Sequence, residues 1–328
     1  MDSLELKPDD KVLILGGTGF IGKRLVAELT GRNIKLRLLV RNPLKVPAAI
    51  LQNKNIEIVQ GDIVSGDGIK EAVRGIHTTY YLVHSMCGSS MFKNYGFVRK
   101  DKDAAENFMN SADAAGTRRV IYLGALGEAG KGLSEHLKSR EEVARILSSG
   151  KLQTTVLRAA IIIGAGSASF IMLKYLVERL PVMICPKWID TKIQPIAVGD
   201  ILAYLTGCLL NPNTAGKIFD TGGPEVLTYR GMIQQYTEAV GLPRRIIIRT
   251  PILSSLLATY WASLAIPVPA GIVHPLMEGL RNEVVCLDDS VTEYIPIERT
   301  PFKTAVKIAV SEKDKSVFPP ANQFGQEV

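Results

Sequence analysis

The chain has 328 residues, 46% hydrophobic and 22% charged, which excludes a disordered or collagen-like polymer and allows two domains or one large elaborated domain. A chain this long can bury its core without disulfides or a structural metal. Its four cysteines, Cys87, Cys185, Cys208 and Cys286, lie too far apart for a CxxC pair or disulfide framework and fit a reduced, cytoplasmic setting. The net charge of +7 comes from basic residues mostly interspersed with acidic ones, and no helix-turn-helix, RNP or zinc motif accompanies it, so no nucleic-acid partner is expected.

The polar, acidic stretch 1–10 is not expected to be a signal peptide. The first strand, Lys11–Leu15 (KVLIL), runs straight into glycines. Residues 20–29 then carry Ile21, Leu25, Val26 and Leu29 at helical spacing. Further strands are expected at 34–40, Ile56–Gln60 and 78–83, with a short helix at Ile69–Val73. An amphipathic helix over 93–115 ends at Gly116, a suitable C′ residue. A fifth strand at 119–123, a helix over 134–149 with Ser134 as N-cap, and a sixth strand opening at 154–157 follow.

Strands alternating with helices indicate an α/β fold, a doubly wound parallel Rossmann sheet with helices on both faces. After about residue 160 the pattern loosens into a smaller mixed α/β lobe. The expected division is a dinucleotide-binding domain at 1–160, a substrate lobe at 161–310 interleaved with the sheet, and a polar tail at 311–328. Residues 250–277 carry no Asp, Glu, Lys or Arg. Pro251, Pro267, Pro269 and Pro275 interrupt them, leaving 252–266 as the longest proline-free part. That is too short to span a bilayer and reads as a buried or pocket-lining helix, with a membrane-surface element as the alternative.

The sharpest motif is Gly16-Gly17-Thr18-Gly19-Phe20-Ile21-Gly22, between a strand and a helix. Gly16 permits the tight turn, Gly19 lets a diphosphate approach the backbone, and Gly22 lets the helix pack on the sheet. The helix N-terminus offers free N–H groups and the positive end of its dipole. Arg41, with Lys45 four residues on, stands at the end of the second strand, where NAD-binding chains usually place a carboxylate. An arginine there suits a 2′-phosphate and favours NADP, with NAD second; the other reading is a solvated surface residue. It belongs to a basic cluster, Lys23, Arg24, Arg32, Lys35, Arg37, Arg41 and Lys45, opposed locally only by Glu28. Asp62 and Ile63 end the third strand, where the Asp can accept from adenine and the next residue pack beside its ring. Val83 and His84 end the fourth, near the expected diphosphate and inner ribose. His84 is either a ligand contact or a satisfied strand-end histidine.

The strings LILGGTGFIG, LLVRNP, YYLVHSM, VIYLGALGE, HLKSREEVARIL, LRAAIIIGAGSASF and EGLRNEVVCLDD resemble NmrA-like atypical extended short-chain dehydrogenase/reductases, over roughly residues 12–289. The resemblance implies a seven-stranded parallel sheet. It implies nucleotide contacts at Gly16, Thr18, Gly19, Phe20, Ile21, Arg41, Asp62 and Ile63. It also points to a departure: the catalytic Tyr-x-x-x-Lys positions hold His136 and Arg140, and Leu123-Gly124-Ala125 stands where a Ser or Thr usually ends the fifth strand. Arg140 can still hold ribose hydroxyls. His136 can titrate near neutrality and act as a general acid, or be structural, since cofactor sensors of this kind also carry His-x-x-x-Lys.

The expected function is therefore an NAD(P)(H)-dependent oxidoreductase acting on an apolar carbonyl, enone or quinone, because 160–170, 181–188 and Tyr260-Trp261 offer an apolar lining. The alternative is a non-catalytic NADP(H) sensor or assembly factor with a protein partner. A third reading is a peripheral membrane protein acting on a lipid or isoprenoid. No metal site and no transmembrane span are expected.

Overall fold

A computed structural model of the chain describes residues 4–85, 96–127, 133–250 and 276–312. Seven parallel strands make one sheet: β1 (Lys11–Leu15), β2 (Lys35–Val40), β3 (Ile56–Gln60), β4 (Ile76–Tyr81), β5 (Arg119–Ala125), β6 (Gln153–Ala159) and, out of local sequence order, β11 (Ile218–Thr221). The spatial order is β11-β6-β5-β4-β1-β2-β3. Register pairs such as Ile14↔Leu38 and Leu15↔Tyr81 align the C-terminal ends of the central strands. Strand order reverses between β1 and β4, and in a doubly wound sheet the crevice at that reversal is where a dinucleotide sits.

Helices cover both faces. On one, α1 (Phe20–Gly31) and α7 (Val198–Leu210) bury Leu25, Val26 and Leu29 against Ile201, Leu205 and Leu209. On the other, α3 (Ile69–Val73), α4 (Gly96–Ala115) and α5 (Glu135–Leu147) bury Ile69, Phe108, Met109, Val143 and Ile146. Ser134 caps α5, its Oγ accepting from the Leu137 N–H at 3.4 Å. Gly116 ends α4 at φ +71°, the left-handed conformation expected of a C′ glycine. The short α2 (Ala48–Leu51) joins β2 to β3.

A third core belongs to the smaller lobe. It is built on α6 (Ala168–Arg179), α8 (Tyr229–Val240) and α10 (Phe302–Ser311), around Phe170, Val177, Met232, Tyr236 and Val306. Among the described residues three two-stranded ribbons trim it. β7 (Ile162–Ile163) pairs with β10 (Ile196–Ala197), β9 (Lys192–Ile193) with β12 (Leu227–Thr228), and β8 (Val182–Cys185) with β13 (Ile246–Arg249). A short α9 (Val291–Tyr294) returns to β11.

One expected strand shifts as a whole, and a seventh is placed. The fourth strand is placed at 76–81 rather than 78–83, because every residue of β4 is buried and no polar alternation marks its ends. Val83 and His84 therefore lie beyond the strand rather than in it. The seventh strand, only four residues with a polar Asp-Thr end, has no sequence periodicity to announce it. Among the described residues, no helix is long and apolar enough to cross a membrane. The expected helix at 252–266, the start of the expected helix at 93–115 and most of the tail lie outside the described residues.

Candidate functional site

The glycine turn has the geometry its spacing implies. Gly16 adopts φ +87°, and a Cβ there would sit 3.0 Å from the Leu82 carbonyl oxygen, so the turn lies directly against the end of β4. The Gly19 N–H donates to the Gly16 oxygen at 3.0 Å and closes the turn. Gly19 is the N-cap of α1, with no side-chain cap and no acidic residue in the first turn. The first amides of α1 are consequently left for an external acceptor. A Cβ on Gly19 would meet only the Gly16 oxygen, at 3.2 Å, and otherwise open space, whereas one on Gly22 would lie 2.1 Å from that oxygen. Thr18 and Gly19 are exposed at the rim, Phe20 and Ile21 half-buried behind it. Free amides, an open face and no negative charge fit a dinucleotide diphosphate.

Ion pairs account for most of the early basic cluster. Arg24 pairs with Glu312, Arg32 with Glu28, Lys35 with Asp9 and Arg37 with Glu57, at 2.7 to 2.8 Å. Most of these carboxylates are remote in sequence, so the cluster looked less balanced than it is. Arg41 is exposed one residue past β2, and among the described residues no carboxylate pairs with its guanidinium. Asp62 is engaged in a turn, its Oδ1 accepting from the Val64 N–H at 2.8 Å. Ile63 corrects an expectation. Its side chain is 6% exposed and packs in the core below α4, so it has little surface to lay beside a base.

At the mouth of β4, β5 and α5 the charges converge. Arg140, on α5, pairs with Asp101 of α4, and both are buried. Asp101 also accepts from the Ser85 N–H at 2.7 Å and the Ser139 hydroxyl at 2.9 Å, so one carboxylate ties the loop after β4 to α5. The Tyr122 hydroxyl donates to the Arg140 carbonyl at 3.2 Å. Arg140 Nε and His136 Nδ1 are buried, and among the described residues neither has a hydrogen-bond partner. Two buried polar atoms unpartnered among the described residues fit a ligand that carries hydroxyls.

Electrostatics correct the titration expected of His136. Desolvation, then the Arg140 charge and then His84, pull its pKa from 6.5 down to about 3, so its ring is neutral at pH 7. His84 is lowered too, by desolvation and then Arg140, although the residue is exposed; the direction leaves this ring neutral as well. Burial raises the phenols of Tyr81 and Tyr122, which stay protonated. Gly124, in place of the usual Ser or Thr, has a packing reason: a Cβ there would lie 2.9 Å from the Tyr122 ring.

Beyond this corner lies a cavity of about 350 Å3 with an almost wholly apolar lining. Met172, Leu173 and Leu176 of α6 face Met183 and Cys185 of β8 and Met232 and Ile233 of α8, with Trp188 and Tyr229 between them. Burial pushes the Cys185 thiol up to about 11, which makes it inert lining. Ile161, just past β6, forms one wall. Met277 and Leu280 form another, and the same turn carries Asn282, whose Oδ1 accepts from the Ser134 N–H at 3.3 Å, two residues from His136.

Of the sequence-derived residues, Gly16 to Gly22, Arg41, Asp62, Val83 and His84 follow the C-terminal ends of β1 to β4, and His136 and Arg140 stand on the adjoining α5. Sequence reasoning missed Asp101 and the α6 and α8 lining. Asp101 had a signal: it shares the apolar helical stripe of Ala105, Phe108 and Ala112, where a carboxylate needs a partner. Among the described residues no cluster of three or more metal-ligating side chains occurs.

Residues 16–168 match a family model described as NAD(P)H-binding. A 3 beta-hydroxysteroid dehydrogenase/isomerase of Mycobacterium tuberculosis is 32% identical over 117 residues, 34% of this chain and 30% of that protein, so the match spans under a third of that relative's length. A ceramide reductase of Caulobacter vibrioides is 26% identical over 202 residues, 61% of each chain. The photosystem II assembly factor Ycf39 of Trieres chinensis is 24% identical over 220 residues, 65% of this chain and 63% of that one. A nucleoside-diphosphate-sugar epimerase structure from Staphylococcus aureus superposes with a TM-score of 0.72 over 90% of this chain and 99% of its own, at 18% identity, a likeness of fold.

Proposed function

We propose that the chain, whose residues 16–168 match an NAD(P)H-binding family model and whose relatives include a ceramide reductase, is an oxidoreductase. It passes hydride between a nicotinamide, preferably of NADP(H), and an apolar carbonyl, enone or quinone-like substrate. The observation that carries this reading is the apolar cavity of about 350 Å3, whose wall residues Met277 and Leu280 share a turn with Asn282, bonded to Ser134 two residues before His136. A substrate of steroid or ceramide type, such as two relatives' names specify, is consistent with that lining.

In this reading the amides at the start of α1 hold the diphosphate and Arg41 takes the 2′-phosphate. The nicotinamide, when bound, supplies or accepts the hydride. Arg140 Nε donates to a ribose hydroxyl while Asp101 fixes the guanidinium plane. His136, being neutral, polarises the substrate oxygen through an N–H hydrogen bond, and the proton comes from solvent through the cleft.

A second reading, a non-catalytic NADP(H) sensor or assembly factor, is favoured by the His136 and Gly124 replacements and by the relative that is an assembly factor. NADPH oxidation across steroid ketones, long-chain enones and quinones separates the two. Substrate-dependent turnover that falls in His136→Ala supports chemistry. No turnover across the panel, together with a nucleotide-dependent change in light scattering, supports the sensor. For the cofactor, Arg41→Ala is expected to weaken NADPH binding about tenfold, equivalent to about 1.4 kcal/mol, and to leave NADH unchanged. Calorimetry showing equal losses for both nucleotides would remove the NADP preference.

A further inference from the structure

The ribbon of β8 and β13 turns an unusual face to solvent. In its parallel register Val182 stands beside Ile246 and Ile184 beside Ile248. These four aliphatic side chains are 47%, 60%, 61% and 50% exposed in the order Val182, Ile246, Ile184, Ile248. The alternate residues Met183 and Cys185 are buried, and all four residues of β8 contribute to the cavity lining, Val182 and Ile184 while still about half exposed. The ribbon is thus apolar throughout, and its four exposed aliphatic side chains form a contiguous cross-strand patch beside the cavity. Among the described residues neither strand has a second neighbour along its outer edge. Exposed aliphatic ribbons of this kind are avoided unless something covers them.

The charges around the patch select what covers it. The segments 178–187 and 244–249 carry Arg179, Lys187, Arg244, Arg245 and Arg249 against one carboxylate, Glu178. Arg179, Lys187, Arg244 and Arg249 are exposed, at both ends of the ribbon. Glu178 already accepts from the Tyr236 hydroxyl at 2.7 Å, and nearby Asp190 is held by Arg230 and Arg249. Two copies meeting through this patch would set cation against cation. A negatively charged plane with an apolar interior meets both halves of the pattern at once.

We propose that the outer face of the β8–β13 ribbon docks on an anionic lipid bilayer surface, the four aliphatic side chains entering the headgroup boundary and the flanking cations pairing with lipid phosphates. The proposal does not depend on whether the cleft performs chemistry. It places the cavity wall one strand's thickness from the membrane.

The test is flotation of the full chain with phosphatidylcholine vesicles, with or without about one-third phosphatidylglycerol. The protein is expected to float with the anionic vesicles and to remain largely in the soluble fraction with the neutral ones. The bound fraction should fall at least about fivefold in Ile184→Ser/Ile248→Ser and again in Lys187→Glu/Arg244→Glu, with the NADPH affinity of both variants unchanged. All substituted positions are exposed, and the two pairs read the apolar and the charged halves separately. No flotation with either vesicle, or flotation undiminished in both variants, would overturn the proposal. So would light scattering that finds a dimer in the parent and a monomer in the Ile184→Ser/Ile248→Ser variant, since the patch would then be a self-interface.

Discussion

His136 enters the cleft as a base that its surroundings keep deprotonated. In the unfolded chain it titrates near 6.5, and in the native chain near 3. Between those values the unfolded state binds a proton that the native state refuses. The stability tied to this group is therefore complete above pH 6.5 and is lost as pH falls toward 3. At about 1.4 kcal/mol per unit, the window is worth on the order of 5 kcal/mol at most, less where cleft water reaches the ring. His136→Gln should flatten the fall in stability between pH 6.5 and 3. Urea unfolding at a series of pH values checks this, and parallel profiles for parent and variant would contradict it.

Asp101 is the counterpart at the same scale. Its carboxylate neutralises a guanidinium that is itself buried, so removing the charge strands the other partner. Asp101→Asn should cost about 3–5 kcal/mol, the usual penalty for an uncompensated buried charge, and Asp101→Asn/Arg140→Gln should recover more than half of it. If the double variant is as unstable as the sum of the singles, the pair is not coupled and Asp101 does not fix Arg140.

Among elements, α1 is where local sequence and site coincide. Two glycines on this one helix make opposite predictions. A Cβ on Gly22 would strike the Gly16 carbonyl oxygen at 2.1 Å, a backbone atom with no freedom to retreat, while one on Gly31 would meet nothing within 4 Å. Gly22→Ala should destabilise by about 1–3 kcal/mol and cost most of the nucleotide affinity. Gly31→Ala should be neutral or stabilise by up to about 1 kcal/mol, since Ala is the better helix former. Thermal unfolding of both variants decides it. The cradle was legible beforehand for the same reason: its chemistry is contained in seven consecutive residues, and glycine spacing reports steric need directly. The alternation that predicts the sheet was equally local. What could not be read had its cause elsewhere in the chain. The end of β4 was hidden by burial on both faces, and Asp9, Glu57 and Glu312 balance a basic cluster from a distance. The cavity draws on α6, β8, α8 and residues 277 and 280, which no window along the sequence brings together.

Across the whole molecule the sheet and the lobe share one chain that keeps crossing between them. After β6 it enters the lobe through α6 and β8, returns as α7 and β11, leaves again through α8 and β13, comes back as α9 against β11, and ends in the lobe with α10. The returns are structural. The Tyr80 hydroxyl donates to the Leu205 carbonyl of α7 at 2.9 Å, and Asp200 at the start of α7 accepts from the N–H and hydroxyl of Thr300 at 2.8 Å each. A fragment ending at residue 160 lacks α7 and β11. It would leave Leu25, Val26 and Leu29 without the Ile201, Leu205 and Leu209 surface that buries them. Such a fragment should therefore fail to fold, although it holds the whole glycine cradle. The full chain should unfold in one cooperative step, because no cut separates the cores cleanly. NADPH at about 100 times its dissociation constant should raise that single transition by about 2.7 kcal/mol of stability, since a ligand that binds only the native state stabilises all that unfolds with it. Calorimetry that resolves two transitions, of which NADPH moves one, or a soluble 1–160 fragment that binds NADPH, would mean that the cradle's domain stands without the returning elements.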